Sequence, residues 1–443
     1  MTNLLERLFG GGSPGDGAGV PDKPATPREP AHARVVRPDL VVVPGGPVAE
    51  SHLPRCTIVI LNLNGKHHLA PCFESLSKLD YPRDRLEVLL IDNASSDGSV
   101  EEMRSKHGWV RLHVNDRNIG FAAGCNQGAE LATRADVLVF LNNDMRVDPL
   151  WLRELVSPIV RGECHATTAK MYSWDGQVMN SAGGGMNFHG IGIQRGYLEA
   201  PGPDYDVPQK TLFACGGAMA MDAARFREVG GFDAEFFAYY EDVDLGWRSW
   251  VQGLSVHYVP TARCWHHHSS TSRRMPPETI RLLQTRNPVL ACFKNYDDTN
   301  LRLLFGPILA LHVRRTWMVS GLHELDEQFR VERLSDPGGG GSLKRMIDKA
   351  TSKLHEDVSV RRIAAADLIG INDLLGRFDH WSARRAAVQS RRHRPDSEIF
   401  GLFLKPNWCI EGERGYQELQ RGMTTYMGLD RILPADTLPD PKG

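Results

Sequence analysis

Residues 137–145 read VLVFLNNDM, five apolar residues running into two amides and a carboxylate. An unbroken apolar run of this length fits a strand buried on both faces of a parallel sheet. Polar residues at the carboxyl end of such a strand fall where open α/β sheets hold their ligands. Asn142, Asn143 and Asp144 are also good turn residues, so this stretch alone leaves turn and site both open.

The neighbouring segments resolve the choice. CTIVIL from Cys56 is a second buried strand, ending in Asn62-Leu63-Asn64-Gly65. Leu69, Phe73 and Leu76 follow at helical spacing. LEVLLID (86–92) is another strand that finishes on an acid, Asp92, before NASSDGS. A helix is predicted over 98–106 with Ser96 or Asp97 near its cap. VRLHV, the Gly-rich NIGFAAGCNQG and a further helix lead back to VLVFL. Strand and helix alternate, which predicts a mostly parallel sheet wrapped by helices. Residues 173–210 are rich in Gly, Asn and Pro, as active-site loops often are. LFACGGAMAM (212–221) reads as strand, glycine pair, strand, and Val243, Trp247, Trp250 and Val251 share one face of a later helix. From 278 onward the pattern is mostly helical, with Pro288 and Pro307 read as interruptions.

Composition sets outer bounds. The chain has 443 residues, 41% hydrophobic and 24% charged, with a net charge of −2, which argues against a generally basic nucleic-acid binder. Its eight cysteines are scattered without a CxxC pair, as for buried apolar residues in a reducing compartment. The N-terminus has no long apolar core, and no stretch offers the roughly 18 apolar residues of a membrane span. The expectation is a cytoplasmic protein. On the C-terminal helices, Leu304, Ile308 and Leu311 beside Arg314 and Arg315, together with the basic cluster Arg384, Arg385, Arg391, Arg392 and Arg394, leave two readings open. One is peripheral contact with anionic lipid; the other is packing on the remainder of the chain with solvated arginines.

Three acidic positions stand out: Asp92, Asp144 and the pair Glu241/Asp242. The first two end strands on one sheet edge. A hard cation that keeps waters and substrate oxygens needs few protein ligands, so Asp144 is a candidate, with a nitrogen from His266–His268 suiting manganese. Each has a plain alternative. Acids at a helix start complement its dipole, three histidines can be a solvated loop, and Arg248 four residues after Asp244 can be an intrahelical ion pair.

Taken in order, TIVILNLNG, IDNASSDGS, NIGFAAGCNQG, FLNNDM, CGGAMA, GGFDAEFFAYYEDVDLGWR and ARCWHHHSSTS resemble the inverting glycosyltransferases of family 2, over about residues 56–295. RNPVLACFKN and ARRAAVQSRRHR resemble the bacterial rhamnosyltransferase-like subgroup. The resemblance implies a GT-A α/β fold with a helical C-terminal region. It divides the chain into a loosely docked or disordered tail (1–54), a catalytic domain (55–277), a helical extension (278–334), a Gly-rich joint (335–342) and a helical region (343–443). It implies Asp242 as catalytic base with Glu241 beside it, and Asp144 and His266 as ligands of Mn2+ or Mg2+. Asn62, Asp92, Asn118 and Asn142 would line the nucleotide, and Gly216, Gly217 and Ala218 the donor sugar. Asn142 stands where many members carry a first acid, and Leu63 where relatives often have a tyrosine. The implied partners are a UDP-, dTDP- or GDP-sugar and a glycan or lipid-linked glycan acceptor, with dTDP-rhamnose as one donor reading. A non-catalytic nucleotide-sugar or glycan-binding protein, and a sugar nucleotidyltransferase, are the alternatives.

Overall fold

The computed structural model describes residues 38–267, 275–320, 361–406 and 414–433. The expected joint at 335–342, residues 1–37 of the expected tail and His268 lie outside the described residues. Strands β1 (Cys56–Asn62), β2 (Leu86–Asp92), β3 (Arg111–Val114) and β4 (Val137–Asn142) are parallel, in the order β4-β1-β2-β3. Helices α1 (Lys66–Ser77), α2 (Ser99–Lys106) and α3 (Phe121–Leu131) form the crossovers. Asn62 is in register with Asp92 and Leu61 with Asn142, so the polar ends of three buried strands meet on one edge.

Past β4 the sheet is mixed. The next elements are β5 (Met145–Val147), α4 (Trp151–Val160), β6 (Ala166–Ser173), β7 (Met179–Ser181), β8 (Gly184–Met186), β9 (Gly192–Gln194) and β10 (Gln209–Lys210), then β11 (Ala218–Asp222), α5 (Ala223–Val229), α6 (Glu241–Val251) and β12 (Val256–His266). β11 lies antiparallel between β4 and β6, and β12 runs parallel to β6 but antiparallel to β5 and β10. Parallel pairing thus holds for the first half, where helices connect successive strands. In the second half both helices and long loops connect the strands, and apolar patterning does not encode strand direction. Two boundaries also differ from expectation. Only the second half of LFACGGAMAM is a named strand. The last strand continues through ARCW to His266, past a register shift between Val259 and Arg263 where Pro260 cannot donate to the ladder.

Every residue of α6 except Asp242 is buried. The apolar face, with Trp247 fully enclosed, packs into the main core. The other face carries Asp244 and Arg248, whose intrahelical pair at 2.7 Å is the plain reading of that spacing. It belongs to a larger buried set: Lys294 lies 2.5 Å from Asp233 and 3.0 Å from Asp244, and Arg384 lies 2.7 Å from Asp233.

The C-terminal helices are α7 (Pro277–Asn295), α8 (Asp298–Ser320), α9 (Arg362–Gly376), α10 (Phe378–Gln389), α11 (Asp396–Ile399) and α12 (Arg414–Tyr426). Pro288 and Pro307 sit inside α7 and α8 rather than between helices, because packing against neighbours outweighs one lost hydrogen bond. Of the features offered for lipid contact, the apolar one faces inward, and most of the basic cluster bonds within the chain although Arg314 and Arg391 are exposed. Leu304, Ile308 and Leu311 are fully buried in the core. Arg394 donates to the carbonyls of Gly253 and Leu254 beyond α6, and Arg385 to those of Phe293 and Tyr296 at the end of α7. Arg392 bonds Asp396 at 2.9 Å, and Arg391 donates to the Glu228 carbonyl. The cluster therefore caps helix ends, as cations do at the negative pole of a helix. Among the described residues, no helix is long and apolar enough to cross a membrane. Seven cysteines are described as free thiols, six of them buried.

Residues 38–54, within the expected tail, are docked on the rest of the chain, with Gly45 N donating to Glu163 and Arg161 to Gly46 O. Val42 N donates to Pro208 O at 3.1 Å, and Arg85 donates to the carbonyls of Glu50, Ser51 and Leu53.

Candidate active site

The site is assembled from the edge where β1, β2 and β4 end. Asp92 is fully buried and accepts from Asn62 Nδ2 and from the Ser95 amide, each at 2.8 Å. Asn62 Oδ1 accepts in turn from Asn143 Nδ2 at 2.6 Å, which joins the ends of β1 and β4. Gly65 is required at this junction, since a Cβ there would lie 2.2 Å from Asn143 Nδ2. Asn118 is exposed, and its Oδ1 accepts from the Gly120 amide at 2.9 Å and from Asn93 Nδ2 at 3.2 Å. Asp92 therefore organises this edge from beneath, while Asn118 and the Ser95–Ser96 turn lie above it.

Asp144, just past β4, is 6% exposed, and its carboxylate stands 3.2 Å from His266 Nε2 at the end of β12. The register of β12 on β5, His266 opposite Met145, fixes that approach from the backbone. His267 points elsewhere, stacking on Trp174 with ring centroids 3.9 Å apart. The spacing between Asp144 and His266 fits a shared ion. Two adjacent ligands about 2.1 Å from an octahedral cation lie about 3 Å apart. Among the described residues no group of three His, Cys, Asp or Glu side chains converges for a metal, and Asp144 and His266 are the pair that approach each other at this edge.

Glu241 and Asp242 open α6. Asp242 accepts from the Gly216 amide at 3.0 Å and from its neighbour Val243 at 2.8 Å. Gly217 O accepts the Asn142 amide at 2.9 Å, two residues before Asp144. The glycine pair thus spans the short distance between the predicted base and the predicted metal ligand, with Ala218 starting β11 beside Leu141. Burial raises the Asp242 carboxyl above its usual range. Burial and then the Asp242 charge push Glu241 up to about 8, and Glu241 Oε2 is buried without a hydrogen-bond partner. Two adjacent carboxyls, one buried and one half-buried, hold one proton between them most readily, and Asp242, with two amide donors, is the member better suited to stay ionised.

A testable consequence concerns stability. Glu241 ionises near 4.5 ordinarily and near 8 in the folded chain, so between those values the folded state holds a proton that the unfolded state has lost. Stability should therefore fall as pH rises through that window. Denaturation midpoints of the parent and Glu241→Gln should diverge from pH 5 to pH 8, with the variant gaining. Parallel curves would contradict the assignment.

The loop before α6 is strained. Phe237, Tyr239 and Tyr240 have φ of 63°, 66° and 66°, a region costing non-glycine residues about 1–2 kcal/mol each. Two anchors hold it. Phe237 O accepts the amides of Phe121 and Ala122 at the start of α3, beside Gly120, whose φ of 86° and close approach to Phe237 exclude a side chain. From α7, the fully buried Asn287 places Nδ2 within 3.0 Å of Phe236 O and Ala238 O and 2.7 Å of Tyr239 O. Asn287→Ala should lower kcat about 10–100-fold, the usual scale for a displaced catalytic group, with donor KM little changed. Steady-state kinetics check this split. Sequence reading passed over Asn287, Asn143, Asn93 and Ser95, although all four lie inside quoted motifs; their bonds cross between motifs, which spacing along the chain does not show.

Comparison with known proteins gives the following matches. The family described as Glycosyl transferase family 2 matches residues 57–229, and one described as the N-terminal domain of galactosyltransferase matches 194–270. The O-antigen biosynthesis protein RfbC of Myxococcus xanthus is 32% identical over 208 residues, covering 45% of this chain and 16% of that protein. The N-acetylglucosaminyl-diphospho-decaprenol L-rhamnosyltransferase of Mycobacterium tuberculosis is 28% identical over 228 residues, 45% of this chain and 73% of that one. Among solved structures, GalNAc-T7 with UDP, GalNAc and Mn2+ aligns at 20% identity with a TM-score of 0.47, over 57% of this chain and 50% of that one. The chain thus spans a sixth of the Myxococcus protein and half of GalNAc-T7. The stretch matched by the first family model holds β1 to β11 and α5, whereas Asp242 and His266 lie beyond residue 229.

Proposed function

We propose that this chain transfers a sugar, with inversion, from a nucleotide diphosphate donor to a hydroxyl of a glycan or lipid-linked glycan. The observation that carries the reading is the continuity from Asp242 through Gly216 and Gly217 to Asn142 and Asp144, which supports a proton acceptor and a cation ligand sharing one site. The rhamnosyltransferase named among the relatives supports a deoxyhexose donor such as dTDP-rhamnose and a lipid-linked acceptor.

The chemistry asks for two things at once. The bond from sugar to diphosphate breaks with negative charge building on the leaving group, and Asp144 and His266 would hold the Mn2+ or Mg2+ that stabilises it. The acceptor hydroxyl loses its proton as it attacks the opposite face, and Asp242 takes that proton. Asn118 and Asn142 would line the nucleotide side, with the buried Asn62 and Asp92 bracing that edge from beneath, and Gly216, Gly217 and Ala218 would lie along the donor sugar at the start of β11. A single displacement of this kind inverts the anomeric centre, as one-step carboxylate-assisted hydrolysis does.

The test is transfer or slow donor hydrolysis on a panel of UDP-, dTDP- and GDP-sugars, with the product anomer read by NMR. Chelation should abolish turnover and Mn2+ restore it. Undiminished activity in chelator would remove the cation from the mechanism, and a retained anomer would remove the single displacement.

A further inference from the structure

His266 contacts a second side chain that no sequence motif marks. Its Nε2 faces Asp144, while its Nδ1 lies 3.1 Å from Asn180 Oδ1. Asn180 belongs to β7, which pairs antiparallel with β6 through Met171↔Ser181 and then Tyr172↔Met179. One residue is left over in that register, and it is Asn180. Extra residues of this kind re-aim a side chain out of the ladder, and they cluster beside active sites.

A neutral imidazole has one N–H and one lone pair. Here it stands between two oxygen acceptors, a carboxylate and an amide carbonyl. A proton on Nδ1, donated to Asn180, leaves the Nε2 lone pair directed at the space beside Asp144. A proton on Nε2 would close that space to a cation. The oxygen of a second side chain commonly fixes a metal-bound histidine through its other ring nitrogen.

We propose that Asn180 is a positioning residue that accepts the His266 Nδ1–H and so makes Nε2 the cation-binding nitrogen. The inference rests on the reading that Asp144 and His266 face a divalent cation. It assigns a role to the bulged strand inside the 173–210 segment.

The experiment is Mn2+ binding to the full chain without donor, followed by the electron paramagnetic resonance signal of free Mn2+. Asn180→Leu should weaken binding about 10–100-fold, the usual cost of removing such a partner. Asn180→Asp, which can only accept, should bind as tightly as the parent or more tightly. Thermal unfolding without metal checks that each variant folds. Unchanged binding in Asn180→Leu, beside a clear loss in Asp144→Asn and His266→Ala, overturns the role of Asn180 alone. Weakened binding in Asn180→Asp also overturns it, and decides the matter even if the leucine variant does not fold. Parent-like binding in both Asp144→Asn and His266→Ala would instead sink the underlying cation reading.

Discussion

Asp242→Asn is expected to lower kcat about 10²–10⁴-fold, the range supplied by a positioned general base, while donor binding stays near the parent value. The substitution keeps the shape of the side chain and one carbonyl oxygen for the amides of Gly216 and Val243, which now bond the two carboxylate oxygens. It removes the charge and the site for the acceptor proton. Glu241→Gln is the companion variant. Glu241 is the member of the pair that burial holds protonated, so its amide should keep most of the turnover. Calorimetric donor binding alongside single-turnover kinetics separates the two steps. If Asp242→Asn turns over normally and Glu241→Gln does not, the roles of the two acids are exchanged.

Lys294→Ala should destabilise the fold by about 3–5 kcal/mol, the usual result of stripping one partner from a buried ion pair. Lys294 and the carboxylates of Asp233 and Asp244 are all about 2% exposed or less. Removing the ammonium leaves two acids with Arg248 as their remaining buried counter-charge and the half-exposed Arg384 at the rim. Burial alone would raise the Asp233 carboxyl, but Lys294 and then Arg384 more than reverse this and hold it below its usual range. A group depressed in this way contributes stability above its unfolded value and loses it as pH falls through its folded one, so acid should unfold the parent by the same route. Chemical denaturation of the parent, Lys294→Ala and the exposed control Arg225→Ala checks the size of the effect. A Lys294→Ala transition coincident with that of the control would show that the buried charges are not coupled. The consequence for function is direct, because this network joins α6, α7 and α10 behind the acids that open α6.

The helical region is therefore part of the site's support. Asn287 restrains the strained loop in front of Asp242, Lys294 neutralises the acids behind it, and Arg394 caps the far end of the same helix. The arginine cluster includes Arg385, Arg391 and Arg394, which donate to backbone carbonyls of the same chain. Its charges are real, but helix-end carbonyls on α6 and α7 supply the counter-pole, and sequence spacing carries no sign of those carbonyls.

By itself the sequence determined the parallel half of the sheet, because apolar runs ending in polar residues record both burial and the functional edge. It also determined which residue types stand at that edge, since Asp92, Asp144 and Asp242 lie inside local motifs whose order along the chain is a one-dimensional signal. Tertiary structure alone decided the direction of β11 and β12, the 3.2 Å approach of His266 Nε2 to Asp144, the bridge from Gly216 to Asp242, and the use of Asn180 and Asn287. Each of these depends on a hydrogen bond between segments 26 to 122 residues apart. Such bonds leave no periodicity in the chain, because the partner's position is set by how strands and helices pack and by nothing in the residues beside it.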